Sequence, residues 1–185
     1  MNDWSARDIQ AWEYVPLGPF LGKSFATSVS PWLVTLEALA PFLVLLEPQN
    51  PPPLSHLADP RPVTYDVQLQ VVLAAGGEEQ TITRSNLRHL YWSLAQMLAH
   101  ATSNGALTRP GDLWATGTVS GPEPGMSGCL MEQTWRGQRP LALADGSQRT
   151  FLEDGDTVIM RAWGEREGQV RIGFGEVRGT VLPPV

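Results

Sequence analysis

Four polar side chains near the start of the chain are spaced so that they could share one face of a helix. Asp3, Arg7, Gln10 and Tyr14 follow one another at intervals of four, three and four residues, which at about 100° per residue places them on one narrow stripe. A carboxylate, a guanidinium, an amide and a phenol together could bind a charged, oxygen-rich ligand with a metal ion. Spacing alone favours a plainer interpretation, a solvated helix face that contains an Asp–Arg pair.

A turn between two glycines places a lysine after that stripe. Residues 18–24 read Gly-Pro-Phe-Leu-Gly-Lys-Ser. A phosphate-binding loop needs four residues between its glycines, whereas three intervene here and one of them is proline. We therefore interpret Lys23 as one cation held by a tight turn. Thr27, in a segment predicted to be extended, could place its hydroxyl beside Lys23, although an ordinary strand threonine fits the spacing better.

Two later segments carry further polar groups. Residues 116–122 combine small residues and hydroxyls, including that of Thr118, and would let a substrate approach the backbone closely. Glu132 stands among apolar neighbours, where burial would make its charge costly without a partner. The three histidines are predicted to be surface residues, because no two of them are spaced to ligate one metal or to form a dyad.

The elements that must position these groups are short. Residues 4–13 predict a helix that ends before Pro16, and residues 25–36 predict an extended segment. Apolar residues alternate over 67–73, and the following Gly76-Gly77 pair predicts a hairpin.

The second half of the chain predicts one longer helix followed by strands. Ser85 could cap a helix whose apolar residues recur at three and four positions and which ends just before Gly105. Short strands are predicted at 112–116, 156–163 and 170–181. The aspartates in the turns that precede them are predicted to hold backbone geometry rather than metal. The fold class is therefore α+β, mostly β, with one long helix packed on a sheet.

The composition is that of one globular domain in a reducing compartment. The chain has 185 residues, of which 42% are hydrophobic, and this suits a single core. The net charge is −6 and the thirteen Lys and Arg are scattered along the chain. The sequence therefore has no cluster of basic residues that would bind nucleic acid or an anionic membrane. Residues 38–46 form its most apolar stretch, far short of the roughly 20 residues of a membrane span. Cys129 is the only cysteine, so no internal disulfide can form and a cytoplasmic location is predicted.

The first 25 residues resemble a known signature. Residues 2–10 read Asn-Asp-Trp-Ser-Ala-Arg-Asp-Ile-Gln, and with the run that continues to Phe25 they resemble the fumarylacetoacetate hydrolase family. Segments at 116–123, 131–132 and 171–175 also match in order, so the resemblance covers essentially the whole chain. It implies a mixed β-strand roll, usually a homodimer, that hydrolyses the C–C bond of 4-fumarylacetoacetate, a diketo acid, to fumarate and acetoacetate in the last step of tyrosine breakdown.

The same resemblance implies a metal site and groups that stabilise charge. Asp3 would be one of several carboxylates that hold a divalent ion, Mg²⁺ or Ca²⁺. Lys23 and Thr27 would place or complete a second metal position. Arg7, Gln10 and Lys23 would stabilise the oxyanion and the departing carbanion.

The remaining roles implied by the resemblance concern the substrate and the general base. Gln10, Tyr14 and Thr118 would contact the substrate. Glu132 would orient and polarise a histidine that acts as the general base. In the family, that histidine and three other metal carboxylates precede the segment that matches residues 2–8.

We therefore expect Met1 to be an internal methionine of a longer enzyme, whether through a truncated reading frame, an excised fragment or a split gene. The missing upstream half is then an expected partner, as is a second copy of the chain. The chain alone is expected to have little or no activity, since removing a general base lowers rates by about 10²–10⁴-fold.

Two alternatives stay open. One is a relative of the same superfamily that acts on acylpyruvates or on oxaloacetate, against which the stretch from Gln10 to Lys23 argues. The other is a non-catalytic folded remnant that serves only as a binding or dimerisation module.

Overall fold

The chain is mostly β, with short helices between the strands. A computed structural model describes residues 1–184. Its α-helices are α1 (Arg7–Glu13), α2 (Leu21–Ser24), α3 (Leu36–Leu39), α4 (Leu94–Thr102) and α5 (Leu130–Gln133). Its strands are β1 (Asn2–Asp3), β2 (Thr27–Ser28), β3 (Leu43–Leu45), β4 (Val63–Tyr65), β5 (Val67–Ala75), β6 (Glu78–Asn86), β7 (Leu141–Ala142), β8 (Gln148–Arg149), β9 (Thr157–Gly164) and β10 (Ile172–Thr180). The predicted α+β class, mostly β, is confirmed. Over this range no helix combines the length and the hydropathy of a membrane span.

The four longest strands form one antiparallel sheet in the order β10-β9-β5-β6. The predicted hairpin is confirmed: β5 and β6 are joined at Gly76 and Gly77, whose φ angles of 57° and 88° suit a tight turn with positive φ at both positions. The other pairs are β1 with β2, β3 with β4 and β7 with β8. All ladders between residues 1 and 184 are antiparallel, so the mixed pairing implied by the resemblance is not found there.

A buried apolar cluster on this sheet supports both segments that carry polar candidates. The cluster includes Leu73 of β5 and Val158 of β9, and both Trp4 and Leu130 pack against it. The Trp4 ring lies so close to β10 that a Cβ atom added at Gly179 would be 2.6 Å from it. The segment before α1 and the start of α5 therefore rest on the same apolar surface.

The long helix predicted from Ser85 to Gly105 is wrong. Strand β6 continues through Asn86, and Ser85 is buried within that strand. Helix α4 starts eight residues later, where Ser93 and Gln96 form a capping box. Apolar residues three and four apart suit a helix locally, but the backbone around Ser85 pairs with β5, and this tertiary pairing overrides the local pattern.

Three boundaries near the other candidates also differ from the prediction. The first helix begins at Arg7 rather than at Trp4, because the chain before it pairs as a strand. Only Thr27–Ser28 of the predicted extended segment is a strand, and residues 112–116 form none. The last two predicted strands are confirmed as β9 and β10.

Arg149 and Asp156 form a buried ion pair that holds the turn before β9. Asp156 is 2% exposed. Its carboxylate accepts hydrogen bonds from Arg149 Nε at 2.8 Å and Nη2 at 3.1 Å, and from the backbone N–H of Glu153 at 2.9 Å. The hydrogen bond with Asp156 raises the pKa of Arg149 above its ordinary value. Asp156 thus holds backbone geometry, as predicted for the aspartates that precede strands.

Replacing Asp156 with Asn should lower the free energy of unfolding by about 3–5 kcal/mol, because the mostly buried Arg149 guanidinium would keep only the exposed carboxylate of Glu153, 3.4 Å away, as a counter-ion. Urea denaturation followed by tryptophan fluorescence measures the change. The matched control is Glu165→Gln, whose carboxylate lies 4.0 Å from Arg171 in a pair that is mostly exposed. That control should lose less than about 1 kcal/mol. Equal losses in the two variants would contradict a structural role for the buried pair.

Candidate active site

Lys23, Asp3 and Thr27 are brought together by the pairing of β1 with β2. That ladder sets Asp3 opposite Thr27, and the Thr27 hydroxyl donates a long hydrogen bond of 3.4 Å to Asp3 Oδ1. Lys23 Nζ lies 3.0 Å from Asp3 Oδ2 and donates to the Asp3 carbonyl at 3.0 Å. The Lys23 and Asp3 side chains are 32% and 43% exposed, so the pair faces an open surface.

Ser5 completes this group and was not singled out from the sequence. Its hydroxyl oxygen accepts from Lys23 Nζ at 2.7 Å, the shortest of the lysine's contacts. An ammonium has three protons to donate, and Ser5 Oγ, the Asp3 carbonyl and the Asp3 carboxylate provide three acceptors. No local pattern indicates Ser5, because its partner Lys23 lies 18 residues further along the chain. The contact depends on how the segment between them folds back toward Ser5.

The predicted stripe of four residues on one helix is wrong in part. Asp3 belongs to β1, and Tyr14 is the exposed residue that caps the C-terminus of α1. Arg7 and Gln10 do share a face of α1, and Arg7 Nη1 donates to Gln10 Oε1 at 2.7 Å. Asp3 is brought to Lys23 by strand pairing. Its partner in the ladder, Thr27, lies in β2, and helical spacing among residues 3–14 gives no indication of that partner.

Helix α1 packs closely, through Gly22, against α2, the single helical turn that carries Lys23. A Cβ atom added there would lie 2.7 Å from Gln10 N and 3.0 Å from Glu13 Oε1, so a side chain could not fit without displacing the backbone. The Gly22 carbonyl also accepts from Ala6 N at 2.8 Å. Arg7 and Gln10 on one side, and Lys23 on the other, are therefore carried by one packed unit.

Glu132 belongs to a second polar group. Ser120 Oγ donates to Glu132 Oε2 at 2.6 Å, and the Gly128 backbone N–H lies 3.1 Å from the same oxygen. Thr118 lies beside Gly128, where an added Cβ atom would be 2.5 Å from Thr118 Cγ2. Glu132 is exposed and accepts two hydrogen bonds, so the burial that would have made its charge costly does not occur.

His89 is closer to this second group than its sequence position indicated. It is half-buried rather than on the surface, and its Cδ2 atom would be 3.0 Å from a Cβ added at Gly121, the residue after Ser120. Its place follows from the 3₁₀ turn Leu87–His89, which replaces the start of the predicted long helix. His56 and His100 are exposed, as predicted.

The two polar groups are linked through the core rather than through polar contacts. Within residues 1–184 no hydrogen bond or ion pair joins Asp3 or Lys23 to Glu132. Both groups lie next to the apolar cluster. Trp4, the residue after Asp3, packs against it, and so does Leu130, two residues before Glu132. The sheet thus holds both groups without direct contact between them.

The described residues supply only one side of a metal site. Within residues 1–184, no group of three or more His, Cys, Asp or Glu side chains is close enough together to hold a metal ion. Asp3 and Thr27 offer hard oxygen donors of the kind that Mg²⁺ and Ca²⁺ prefer, but these ions take six or more ligands including water. Lys23 has no lone pair to offer while it is charged, so its effect on an ion would pass through the Asp3 carboxylate.

Comparison with known proteins places these residues in a family. The family model described as "Fumarylacetoacetate (FAA) hydrolase C-terminal" matches residues 1–182. The chain is 56% identical to a fumarylacetoacetase of Arabidopsis thaliana, 53% identical to that of Bos taurus and 52% identical to that of Homo sapiens. Each alignment covers 99% of this chain and 44% of the relative. The chain therefore spans less than half the length of these curated relatives.

Replacing Lys23 with Met should lower the free energy of unfolding of the chain by at most about 2 kcal/mol, because its ion pair and hydrogen bonds are partly exposed to water. Urea denaturation measures this loss beside that of Asp156→Asn, which removes a buried charge partner. A loss for Lys23→Met as large as that for Asp156→Asn would mean that Lys23 mainly holds the fold together.

Proposed function

This chain belongs to the fumarylacetoacetate hydrolase family, and on that basis we propose that it forms part of an active site that hydrolyses the C–C bond of 4-fumarylacetoacetate. The products would be fumarate and acetoacetate, in the last step of tyrosine and phenylalanine breakdown. The observation that carries the proposal is the cluster of Lys23, Asp3 and Ser5, which the packing of Gly22 joins to the helix that carries the Arg7–Gln10 pair. All five residues lie in the segment that matches the family signature.

The chemistry requires negative charge to be stabilised at two stages. Attack of water on a carbonyl of a β-diketone forms an oxyanion, and breaking the C–C bond then releases an enolate. Arg7 and Lys23 supply positive charge for both stages, and fixed charges of this kind stabilise a transition state without reorganising. Gln10 orients the Arg7 guanidinium at 2.7 Å.

Arg7 and Lys23 would act in different ways. The three Lys23 protons already face three oxygens, so Lys23 acts through its charge and through the orientation of Asp3. Arg7 has five N–H donors, and one of them is engaged by Gln10. Arg7 is therefore the better direct donor to a substrate oxygen, with Gln10, Tyr14 and the hydroxyl of Thr118 as further substrate contacts.

Glu132 would orient the imidazole of a general base. Its Oε2 accepts from Ser120 and Gly128, which fixes the carboxylate plane. Its Oε1 has no hydrogen-bond partner between residues 1 and 184, so that oxygen can accept from an imidazole N–H. A carboxylate in this position raises the basicity of the ring and selects its tautomer.

A divalent ion, Mg²⁺ or Ca²⁺, would polarise the diketone oxygens when bound. Asp3 would be one of its ligands and Thr27 would line the position. Lys23 and Thr27 hold the two carboxylate oxygens of Asp3 at 3.0 Å and 3.4 Å respectively. This keeps the carboxylate in one orientation toward the open side of the group.

We also propose that another polypeptide surface covers part of this chain. Trp12, Leu17 and Leu33 are 89%, 81% and 97% exposed, and large exposed apolar surfaces mark contacts with other polypeptides. A second copy in a homodimer, or the remaining part of a fumarylacetoacetase, would bury them. The β-strand roll of the family and a cytoplasmic location belong to the same proposal.

A chimera tests the proposed activity. Residues 1–185 replace the matching segment of the bovine fumarylacetoacetase, and cleavage of 4-fumarylacetoacetate is followed by loss of the diketone absorbance. The chimera should be active, and Lys23→Met or Arg7→Met should lower its kcat by at least about 10²-fold, the usual effect of removing one charge-stabilising group. Glu167→Gln, at an exposed position outside both polar groups, is the control and should be neutral. A folded chimera without turnover would overturn the proposal.

Metal binding is tested separately by isothermal titration calorimetry with Mg²⁺ and with Ca²⁺. The chain alone should bind either ion more weakly than about 1 mM, because one carboxylate is too few ligands for a hard cation. The chimera should bind more tightly, and Asp3→Asn in the chimera should weaken binding by at least about tenfold through loss of a ligand. Asp154→Asn, another exposed carboxylate, is the matched control. Unchanged affinity in the Asp3 variant would rule out Asp3 as a ligand.

A further inference from the structure

Glu13 places its carboxylate against the turn that carries Lys23. Glu13 is the last residue of α1. Its Oε1 accepts from Phe20 N at 2.8 Å and from Gly22 N at 2.7 Å, and its Oε2 accepts from Leu21 N at 3.1 Å. Three consecutive backbone N–H groups immediately before Lys23 thus share one carboxylate.

The same helix carries the groups that must act together with Lys23. Gln10 lies one turn before Glu13, and Arg7 lies nearly one further turn back. The close contact between Gly22 and Gln10 leaves the turn little room to slide along α1. Glu13 fixes the remaining freedom, because its carboxylate accepts from the backbone N–H groups of residues 20–22 while Gly22 packs against Gln10.

We propose that Glu13 is a positioning residue, which sets the place of the Lys23 ammonium relative to Arg7 and Gln10 through its three hydrogen bonds to residues 20–22. The inference rests on the proposed function for its catalytic consequence. Its structural half, that Glu13 places Lys23, stands on the described contacts. Within residues 1–184, no hydrogen bond or ion pair joins the Glu13 side chain to Asp3, Ser5 or the Lys23 ammonium.

A carboxylate suits this task and an amide does not. A carboxylate is an acceptor at both oxygens, so it can receive three N–H groups from one side. Glutamine would keep one acceptor oxygen and turn an NH₂ donor toward one of the N–H groups. Aspartate would keep the charge but draw the carboxylate back by one methylene. Glu13→Gln therefore tests the need for the negative charge, and Glu13→Asp tests the need for the full length of the side chain.

The sole lysine of the chain provides a direct reporter. Lys23 is the only lysine among the thirteen Lys and Arg residues, so [¹³C]lysine labelling of the 185-residue chain yields one lysine spin system. Glu13→Gln and Glu13→Asp should both shift the Lys23 Cε and Hε resonances, because the ammonium moves relative to Asp3 and Ser5. Glu167→Gln makes the same charge change at a remote exposed position and should leave them unmoved.

The chimera provides the kinetic readout. Glu13→Gln and Glu13→Asp should each lower kcat by about 10- to 100-fold, the usual consequence of misplacing a reacting group by about 1 Å, with a smaller change in KM. In a Lys23→Met background the same Glu13 substitutions should have almost no further effect, because they act through Lys23. A merely structural residue would lower activity additively in both backgrounds.

The outcomes separate this inference from the proposed function. An inactive parent chimera together with shifted Lys23 resonances in both Glu13 variants would end the proposed function and leave the placement of Lys23 by Glu13 supported. An active chimera in which the Glu13 variants keep full kcat, or lose it additively with Lys23→Met, would overturn the inference alone. Unmoved Lys23 resonances in both variants would also overturn it. Thermal unfolding of every variant verifies that the folded state is being compared.

Discussion

The contact of the Lys23 ammonium with Asp3 and Ser5 joins the pieces of chain from which the candidate site is built. It links the first strand to the turn that follows α1. Because that turn packs on α1 through Gly22, the position of Lys23 also sets the distance to Arg7. A carboxylate, an ammonium and a guanidinium are thereby held in one arrangement on elements of only a few residues each.

Such short elements keep their form because apolar burial seats them on the central sheet. Trp4, the residue after Asp3, packs over β10, and its Nε1 donates to Ser28 Oγ at 2.9 Å, next to Thr27. Half-exposed ion pairs contribute little stability by themselves, whereas an indole packed against a sheet excludes water from both surfaces. The apolar contact therefore locates the group, and the charged contacts then orient its side chains.

The choice of lysine at position 23 has a physical reason. The other twelve of the thirteen Lys and Arg residues are arginines, whose planar fork suits a carboxylate face. The acceptors around residue 23 are a carbonyl, a carboxylate oxygen and a hydroxyl, which belong to Asp3 and Ser5. A compact ammonium with three protons can donate to all three acceptors at once.

Local sequence patterns were sufficient to predict the features that depend on neighbouring residues: the hairpin at Gly76-Gly77, the last two strands, and the identities of the polar groups in the family signature. Contacts between distant residues place Asp3 in a strand, extend β6 through Ser85 and hold Glu132 against Ser120. Each of these depends on a partner distant in the chain, 24 residues away for Asp3 and Thr27. Local spacing restricts the conformations open to a short segment, but backbone pairing and burial select among them.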